Sequence, residues 1–294
     1  MTERVCAVVV TYNRLELLKE CIAALRQQTH KLDEIIVVNN NSSDGTKEWL
    51  DTQNDITKIH QENLGGAGGF HNGMKAAYEK SYDWVWLMDD DGLPTDKALE
   101  ILLNSEKDCL VKNSLVVSKE DNKNLTFGIY IKSKKKILRE VKEVKGNSIE
   151  KYASFFNGTL IHQKIMSKIG FPNPLFFIYG DEHEYFFRIK KYNFDILTIV
   201  NSHFLHPPQK YKTFGYGFFF YHFKFFNKLG IKYIPRNYFL IWILYKEFHF
   251  KNLLKIFIFD LIGILFIQHK PLYFIKYILS IFDGILLINK VKDD

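Results

Sequence analysis

Three consecutive aspartates, Asp89, Asp90 and Asp91, follow the short apolar run Trp84 to Met88. On an extended strand, side chains two residues apart point to the same side, so the spacing predicts that Asp89 and Asp91 share one divalent cation. Hard carboxylate oxygens suit Mn2+ or Mg2+, and such an ion offsets the charge that builds on a departing phosphate. The same aspartates could instead cap a helix starting near Thr95. A second acidic group, Asp181, Glu182 and Glu184, sits among aromatic residues, where a carboxylate suits the removal of a proton from an attacking hydroxyl. Glu184 and Arg188 are also spaced for an ordinary i,i+4 helix pair. His206, in NSHFLHPP, offers either a third ligand beside Asp89 and Asp91 or a structural imidazole near a turn.

Between these groups lies the string NLGGAGGF, with Asn63, Gly65, Gly66, Ala67, Gly68 and Gly69. Its glycines could let backbone amides approach a phosphate, although the GK[ST] ending of a P-loop is missing and the string does not follow the first strand, as a dinucleotide fingerprint would. A turn with close helix packing is the plainer reading.

Elements must bring these residues together. Val5 to Val10 reads as a buried strand, followed by TYNR and a helical pattern at Leu15, Leu18, Cys21, Ile22 and Leu25. Glu34 to Val38 repeats the strand, NNNSSDGT supplies caps, and Lys47 to Thr52 opens a helix. A third strand, Thr57 to His60, precedes the glycine string, a helix at Asn72 to Lys80 and the strand that ends at DDDG. Right-handed crossovers then set four polar loops along the carboxyl edge of one parallel sheet, where ligands bind in open α/β folds. Beyond Pro94 the pattern predicts a helix over Thr95 to Asn104 and a polar stretch to Ser148. Within that stretch, IKSKKKILREVKEVK reads as an exposed hairpin or insertion. A second portion of sheet runs from Ser154 to Ile165, and an apolar segment from Asp195 to Val200.

The 294 residues allow a large α/β domain over 1–210 and an appendage over 211–294. The aromatic content, 26 Phe and 16 Tyr, is concentrated after about Tyr211, where lysines outnumber acids and contribute to the net charge of +7. Amphipathic helices are predicted at Asn237 to Lys246 and Asn252 to Gln268. Lys255 and Asp260 interrupt the best apolar span, which favours attachment along an anionic membrane surface over a spanning helix. A buried helical subdomain or a homo-oligomer surface is the alternative. The basic residues are diluted among Phe, Ile and Leu without a recognition motif, so nucleic acid is not an expected partner. Three scattered cysteines indicate neither a zinc site nor a disulfide framework and fit a reducing cytoplasm. The opening MTERVCAVVVTYNR has no signal-peptide pattern, so export is not expected.

In order along the chain, VVVTYNR, IIVVNNNSSDGT, NLGGAGGFHNG, WLMDDDG and DEHEYFFR resemble the family 2 glycosyltransferases, over roughly residues 4–210. The resemblance implies a GT-A fold: a Rossmann-like α/β nucleotide-sugar-binding domain with a mixed, mostly parallel sheet, here followed by an aromatic and basic helical region. By it, Thr11, Asn13 and Arg14 lie against the nucleotide, with Asn39 and Asn40 near the base in a loop where the family usually carries aspartate. Asn63, Gly65, Gly66, Ala67 and Gly68 join the nucleotide-sugar site. Asp89 and Asp91 match the family's DXD metal motif for Mn2+ or Mg2+, Asp90 sits beside the ribose or donor sugar, and His206 closes the metal site. Glu182 matches the catalytic base, with Asp181 as its rival. Within the family, the glycine string and the acidic pair before EYFFR look most like bacterial galactofuranosyltransferases using UDP-galactofuranose, with rhamnosyltransferases using dTDP-rhamnose next. The implied reaction is an inverting transfer to a hydroxyl of a lipid-linked or polysaccharide acceptor at the cytoplasmic face of the cell membrane. A protein that kept the fold as a non-catalytic sugar-nucleotide or membrane binder is the alternative of another class.

Overall fold

A computed structural model describes residues 3–131, 135–208, 214–216, 219–221, 226–246 and 250–293. The chain forms two compact units, one of residues 1–174 and 188–209, the other of residues 175–187 and 210–294. The segment carrying Asp181 and Glu182, placed within 1–210 by the sequence reading, groups with the C-terminal helices.

In the first unit, β1 (Val5–Thr11), β2 (Glu34–Asn39), β3 (Ile56–His60) and β4 (Trp84–Asp89) pair in parallel in the order β3-β2-β1-β4. Every β1 residue is buried, as a strand covered on both faces requires. Between the strands run α1 (Leu15–Arg26), α2 (Thr46–Asp51) and α3 (Gly65–Glu79). The apolar positions Leu18, Cys21, Ile22 and Leu25 form the buried face of α1, as their spacing predicts.

The glycine string departs from expectation: it is the first two turns of α3, not a loop before a helix at Asn72. Glycine is a poor helix former, but here tertiary packing decides. A Cβ on Gly69 would lie 2.5 Å from Val10 Cγ1, and one on Gly73 would lie 2.3 Å from Val8 Cγ1, so only glycine lets α3 lie this close to β1.

After a short strand, β5 (Leu93–Pro94), α4 spans Ala98–Asn104. It begins later than predicted, and in its first turn the Leu99 N–H donates to Gln28 Oε1, which removes helix capping as the task of Asp89 to Asp91. The polar stretch to Ser148 hides β6 (Val111–Ser118), buried along its whole length. Its polar residues are paired inside the core: Lys112 Nζ donates to the carbonyls of Leu102 and Ser105, Thr159 Oγ1 to Asn113 Oδ1, and the Ser114 and Ser202 hydroxyls bond each other. The lysine-rich run falls in the hairpin of β7 (Asn124–Ile131) and β8 (Lys136–Glu140), with residues 132–134 outside the described set. Then come β9 (Ser148–Glu150), β10 (Asn157–His162), α5 (Gln163–Ile169), α6 (Asp181–Lys191) and β11 (Leu197–His206). β10 runs antiparallel between β4 and β6, and β11 pairs in parallel with β6, giving one mixed sheet. β11 continues past Val200, through a register shift between Ile199 and His203, and ends at His206 beside Ser118.

The second unit contains α7 (Lys228–Tyr245), which starts nine residues before the predicted Asn237, α8 (Phe250–Ile262, continued as a π-helical turn through Ile267), close to the predicted Asn252 to Gln268, and α9 (Pro271–Asp293). They close on Phe226, Ile231, Leu253, Phe257, Ile264 and Tyr277. Residues 211–213, 217–218, 222–225, 247–249 and 294 of the predicted appendage lie outside the described residues. The sequence reading did not single out α9, the helix that combines length with apolar character. Its stretch Pro271–Val291, with mean hydropathy 1.7, is long and apolar enough to cross a membrane; 17% of it is buried, and Lys276, Asp283 and Lys290 lie along it.

Candidate active site

The carboxyl ends of β1 and β4 lie side by side, with Val10 opposite Asp89. β4 stops at Asp89 and the next two residues form a turn. The alternation that would aim Asp89 and Asp91 the same way therefore ends before Asp91, and the two carboxylates do not follow the predicted strand geometry. Asp90, read by resemblance as facing ribose or sugar, is instead 2% exposed. Its Oδ2 accepts from Thr11 Oγ1 at 2.7 Å and its Oδ1 from Arg14 Nη1 at 3.1 Å. Burial pushes its carboxyl up to about 6, although the Thr11 hydroxyl and Arg14 pull the other way. Asp90 thus braces the loop between β1 and β4.

Arg14 also donates to Asp91 Oδ2 at 2.8 Å. The other oxygen of Asp91, Oδ1, is buried without a hydrogen bond, and His206 Nε2 lies 3.4 Å from it. His206 Nδ1 is bonded to the Pro207 carbonyl at 2.7 Å. A carbonyl only accepts, so Nδ1 carries a proton, and Nε2 is the ring nitrogen turned toward Asp91. A carboxylate oxygen without a hydrogen bond and a ring nitrogen beside it in a buried place are a pair that a cation would join, and a histidine oriented through its second nitrogen is typical of metal ligands. Burial raises the Asp91 carboxyl, but His206 and Arg14 outweigh it and hold it below the usual carboxylate range. Among the described residues no three His, Cys, Asp or Glu side chains already converge on a metal position, so the fold brings together Asp91 and His206 but does not add Asp89 as a third. Mg2+ or Mn2+ bound through one or two protein groups, with phosphate oxygens and waters completing its shell, fits such a donor set.

The loop after β2 is fastened from inside. Asn39 and Asn40 are each 2% exposed. Asn39 Oδ1 accepts from Ser42 N and its Nδ2 meets His60 Nδ1 at 3.3 Å, while Asn40 Nδ2 donates to the Gly65 carbonyl and its Oδ1 accepts from Gln61 Nε2. Expected near a base, both amides are spent on holding the loop against β3 and the start of α3. Asn13, at φ +55°, accepts from Ser43 N through Oδ1, and Asn63 Oδ1 accepts from Gly65 N at the entry to α3. Gly66 is half-buried, whereas Gly65, Ala67 and Gly68 are buried, which leaves the amino end of a 15-residue helix free of bulky side chains.

Sequence reasoning missed three residues here. Asp44 Oδ2 accepts from Leu15 N and its Oδ1 from the Thr46 hydroxyl, tying α1 to α2; its signal was an Asp in a Ser-rich loop before a helix. Asn157, paired with Met88 at the end of β4, has a buried Oδ1 without a partner. Tyr12 is an exposed aromatic directly after β1.

The acidic motif opens α6. Asp181 and Glu184 are buried, and Glu184 Oε1 accepts from Tyr245 Oη at 2.6 Å. The Glu182 side chain is 35% exposed; its Oε2 accepts from Gly180 N at 2.9 Å and its Oε1 lies 3.0 Å from His183 Nδ1. Burial raises the Glu182 carboxyl, but His183 and Asp181 outweigh it and keep it below the ordinary glutamate range, ionised at neutral pH.

Residues 6–158 match the family model Glycosyl transferase family 2. Galactofuranosyltransferase GlfT1 of Mycolicibacterium smegmatis is 33% identical over 220 residues, covering 70% of this chain and 72% of the relative. GlfT1 of Mycobacterium tuberculosis H37Rv is 35% identical over 218 residues, covering 70% and 71%. A crystal structure of GalNAc-T7 with UDP, GalNAc and Mn2+ superposes with a TM-score of 0.57 over 82% of this chain and about half (48%) of that one; at 14% identity it shows the GT-A fold alone. With a mixed sheet of that fold, a family match across its nucleotide-binding half and relatives of this coverage, the chain belongs to glycosyl transferase family 2 and is a glycosyltransferase close to the galactofuranosyltransferases.

Proposed function

We propose that the enzyme transfers galactofuranose from UDP-galactofuranose, with inversion, to a hydroxyl of a lipid-linked or polysaccharide acceptor, assisted by Mn2+ or Mg2+. The buried, unbonded Asp91 Oδ1, 3.4 Å from His206 Nε2, carries the metal-assisted part. The two mycobacterial relatives support the donor. Asp91 and His206 would hold the ion, and Asp89 contributes its charge from the end of β4, where it helps keep Arg14 protonated. When bound, the ion stabilises negative charge on the leaving diphosphate. Asn13, Arg14, Asn63 and the amino end of α3 line the diphosphate, where the helix dipole and small residues favour an anion. Glu182 takes the acceptor proton: it is ionised and accessible, whereas its rival Asp181 is buried. Incubation with Mn2+ and a panel of UDP- and dTDP-sugars tests the donor. UDP release is expected from UDP-galactofuranose above all others, and preferential turnover of dTDP-rhamnose would replace this donor.

The enzyme works at the inner face of the cell membrane through α8 and α9. Most of the exposed large apolar side chains among the described residues lie there, Phe266, Leu272 and Leu286 each at 70% exposure or more. On α9, Leu272, Ile275, Leu279, Phe282 and Leu286 recur every three or four residues as one exposed stripe, while Tyr277, Ser280 and Gly284 are buried. A helix with one side packed on protein suits lying in the interface better than spanning it. Exposed Lys251, Lys255, Lys270, Lys276 and Lys290 suit anionic headgroups and would repel a second copy of the same face. Co-sedimentation is expected with phosphatidylglycerol vesicles more than with phosphatidylcholine vesicles. A Leu279→Glu, Phe282→Glu double variant should bind at least about 10-fold less, since each buried side chain contributes about 1.5–3 kcal/mol. Unchanged vesicle binding by that variant would refute the assignment.

A further inference from the structure

The segment leading into the acidic motif has unusual backbone conformations. Phe177 and Tyr179 have φ of +61° and +63°, and Gly180 has φ of +102°. For bulky residues the left-handed region is unfavourable, and it persists only where neighbours over-determine it. The neighbour here is α7. Asn237, fully buried, donates through Nδ2 to the carbonyls of Phe176, Ile178 and Tyr179 at 2.8, 3.0 and 2.8 Å. Arg236 Nη2 donates to the carbonyls of Leu175 and Phe176 at 2.6 and 3.1 Å, and its Nε donates to Asn237 Oδ1 at 2.8 Å. The Phe177 ring stacks on Tyr233, and the Arg236 guanidinium lies over the same Tyr233 ring, 4.5 Å from its centroid.

All of these contacts fall within the second unit, and they end where the motif begins. Tyr179, the last residue gripped through its carbonyl, is followed by Gly180, whose N–H is the group Glu182 Oε2 accepts from. Moving the carbonyls of residues 176–179 therefore moves the donor that aims the Glu182 carboxylate. Two buried polar side chains on an otherwise aromatic helix are expensive to keep unless they are well bonded, and among the described residues their side-chain hydrogen bonds go to this one loop or between the pair.

We infer that Arg236 and Asn237 are positioning residues that fix the Glu182 carboxylate through the 175–180 loop, so that α7 is part of the catalytic machinery and not only of a membrane-binding appendage. The inference rests on Glu182 as the base. The test measures kcat, donor KM, Mn2+-dependent UDP affinity and amide hydrogen exchange for the full-length Asn237→Ala and Arg236→Lys variants, alone and combined with Glu182→Gln. A misplaced reacting group costs on the order of 10²-fold, so Asn237→Ala should lower kcat by about that factor. Donor KM and UDP affinity should stay within about 2-fold and exchange at residues 177–182 should quicken. In the Glu182→Gln background the further loss in kcat should nearly vanish, since both changes disable one function. Arg236→Lys keeps the charge but not the fork, and should show a smaller loss with the same signature, which also serves if Asn237→Ala does not fold. An unchanged kcat in both variants, or a loss that multiplies fully onto Glu182→Gln, would overturn the positioning role. Full activity of Glu182→Gln by itself would instead overturn the reading of the base.

Discussion

Glu182→Gln is expected to lower kcat by about 10³-fold, within the 10²–10⁴ range that a positioned general base contributes, while leaving Mn2+-dependent UDP affinity unchanged. Glutamine preserves the shape of the side chain, and its amide oxygen can still accept from Gly180 N. What it loses is the ability to take a proton. Asp181 should not substitute, because it is buried beside Glu182 at the start of α6, and Glu184 is buried against Tyr245. The pH profile carries a second signature. His183 and Asp181 hold the Glu182 carboxyl below its ordinary value of 4.5, so the acid limb of kcat/KM should fall below that pH and not near neutrality. A variant with undiminished kcat at saturating donor and acceptor would move the proton transfer elsewhere.

What could be read beforehand follows from how each residue reports its environment. β1, β2 and β4 were legible because buried parallel strands are uninterrupted apolar runs, and Asp89 could be singled out at the end of one of them, whereas Thr11 came from the resemblance and His206 lies at the end of a strand read only as far as Val200. β6 was not, because Lys112, Asn113 and Ser114 look like a solvated stretch until their partners, Leu102, Ser105, Thr159 and Ser202, are seen around them. α3 was hidden for the opposite reason: its glycines signal a break locally, while the close approach to Val8 and Val10 that requires them is tertiary. The same holds for the two asparagines of the β2 loop, whose partners Gly65, Gln61, Ser42 and His60 are distant in sequence or set by the turn. Arg236 and Asn237 gave no periodic signal at all, being polar residues whose targets are backbone carbonyls some 60 positions earlier.

Asp91→Ala should abolish the metal dependence of donor binding and lower kcat/KM by at least about 10²-fold, the loss that removing several kcal/mol of charge stabilisation produces. The variant is a clean test because Asp91 is the less structural of the two aspartates that Arg14 holds. Arg14 keeps Asp90, and Asp90 keeps Thr11, so the brace between β1 and β4 survives. Calorimetric titration of UDP should show affinity that falls on adding EDTA in the native enzyme and is the same with and without EDTA in the variant. His206→Ala should act in the same direction but less, because it removes a neutral donor and leaves the carboxylate that carries the charge. If Asp91→Ala retained the native dependence on Mn2+, the ion would have to be held elsewhere, and the unbonded oxygen facing His206 would need another explanation. A purely structural Asp91 predicts the reverse pattern. Its loss would lower the melting temperature and weaken UDP binding equally with and without the ion, because Arg14 would lose one of its two carboxylate partners whatever the solution contains.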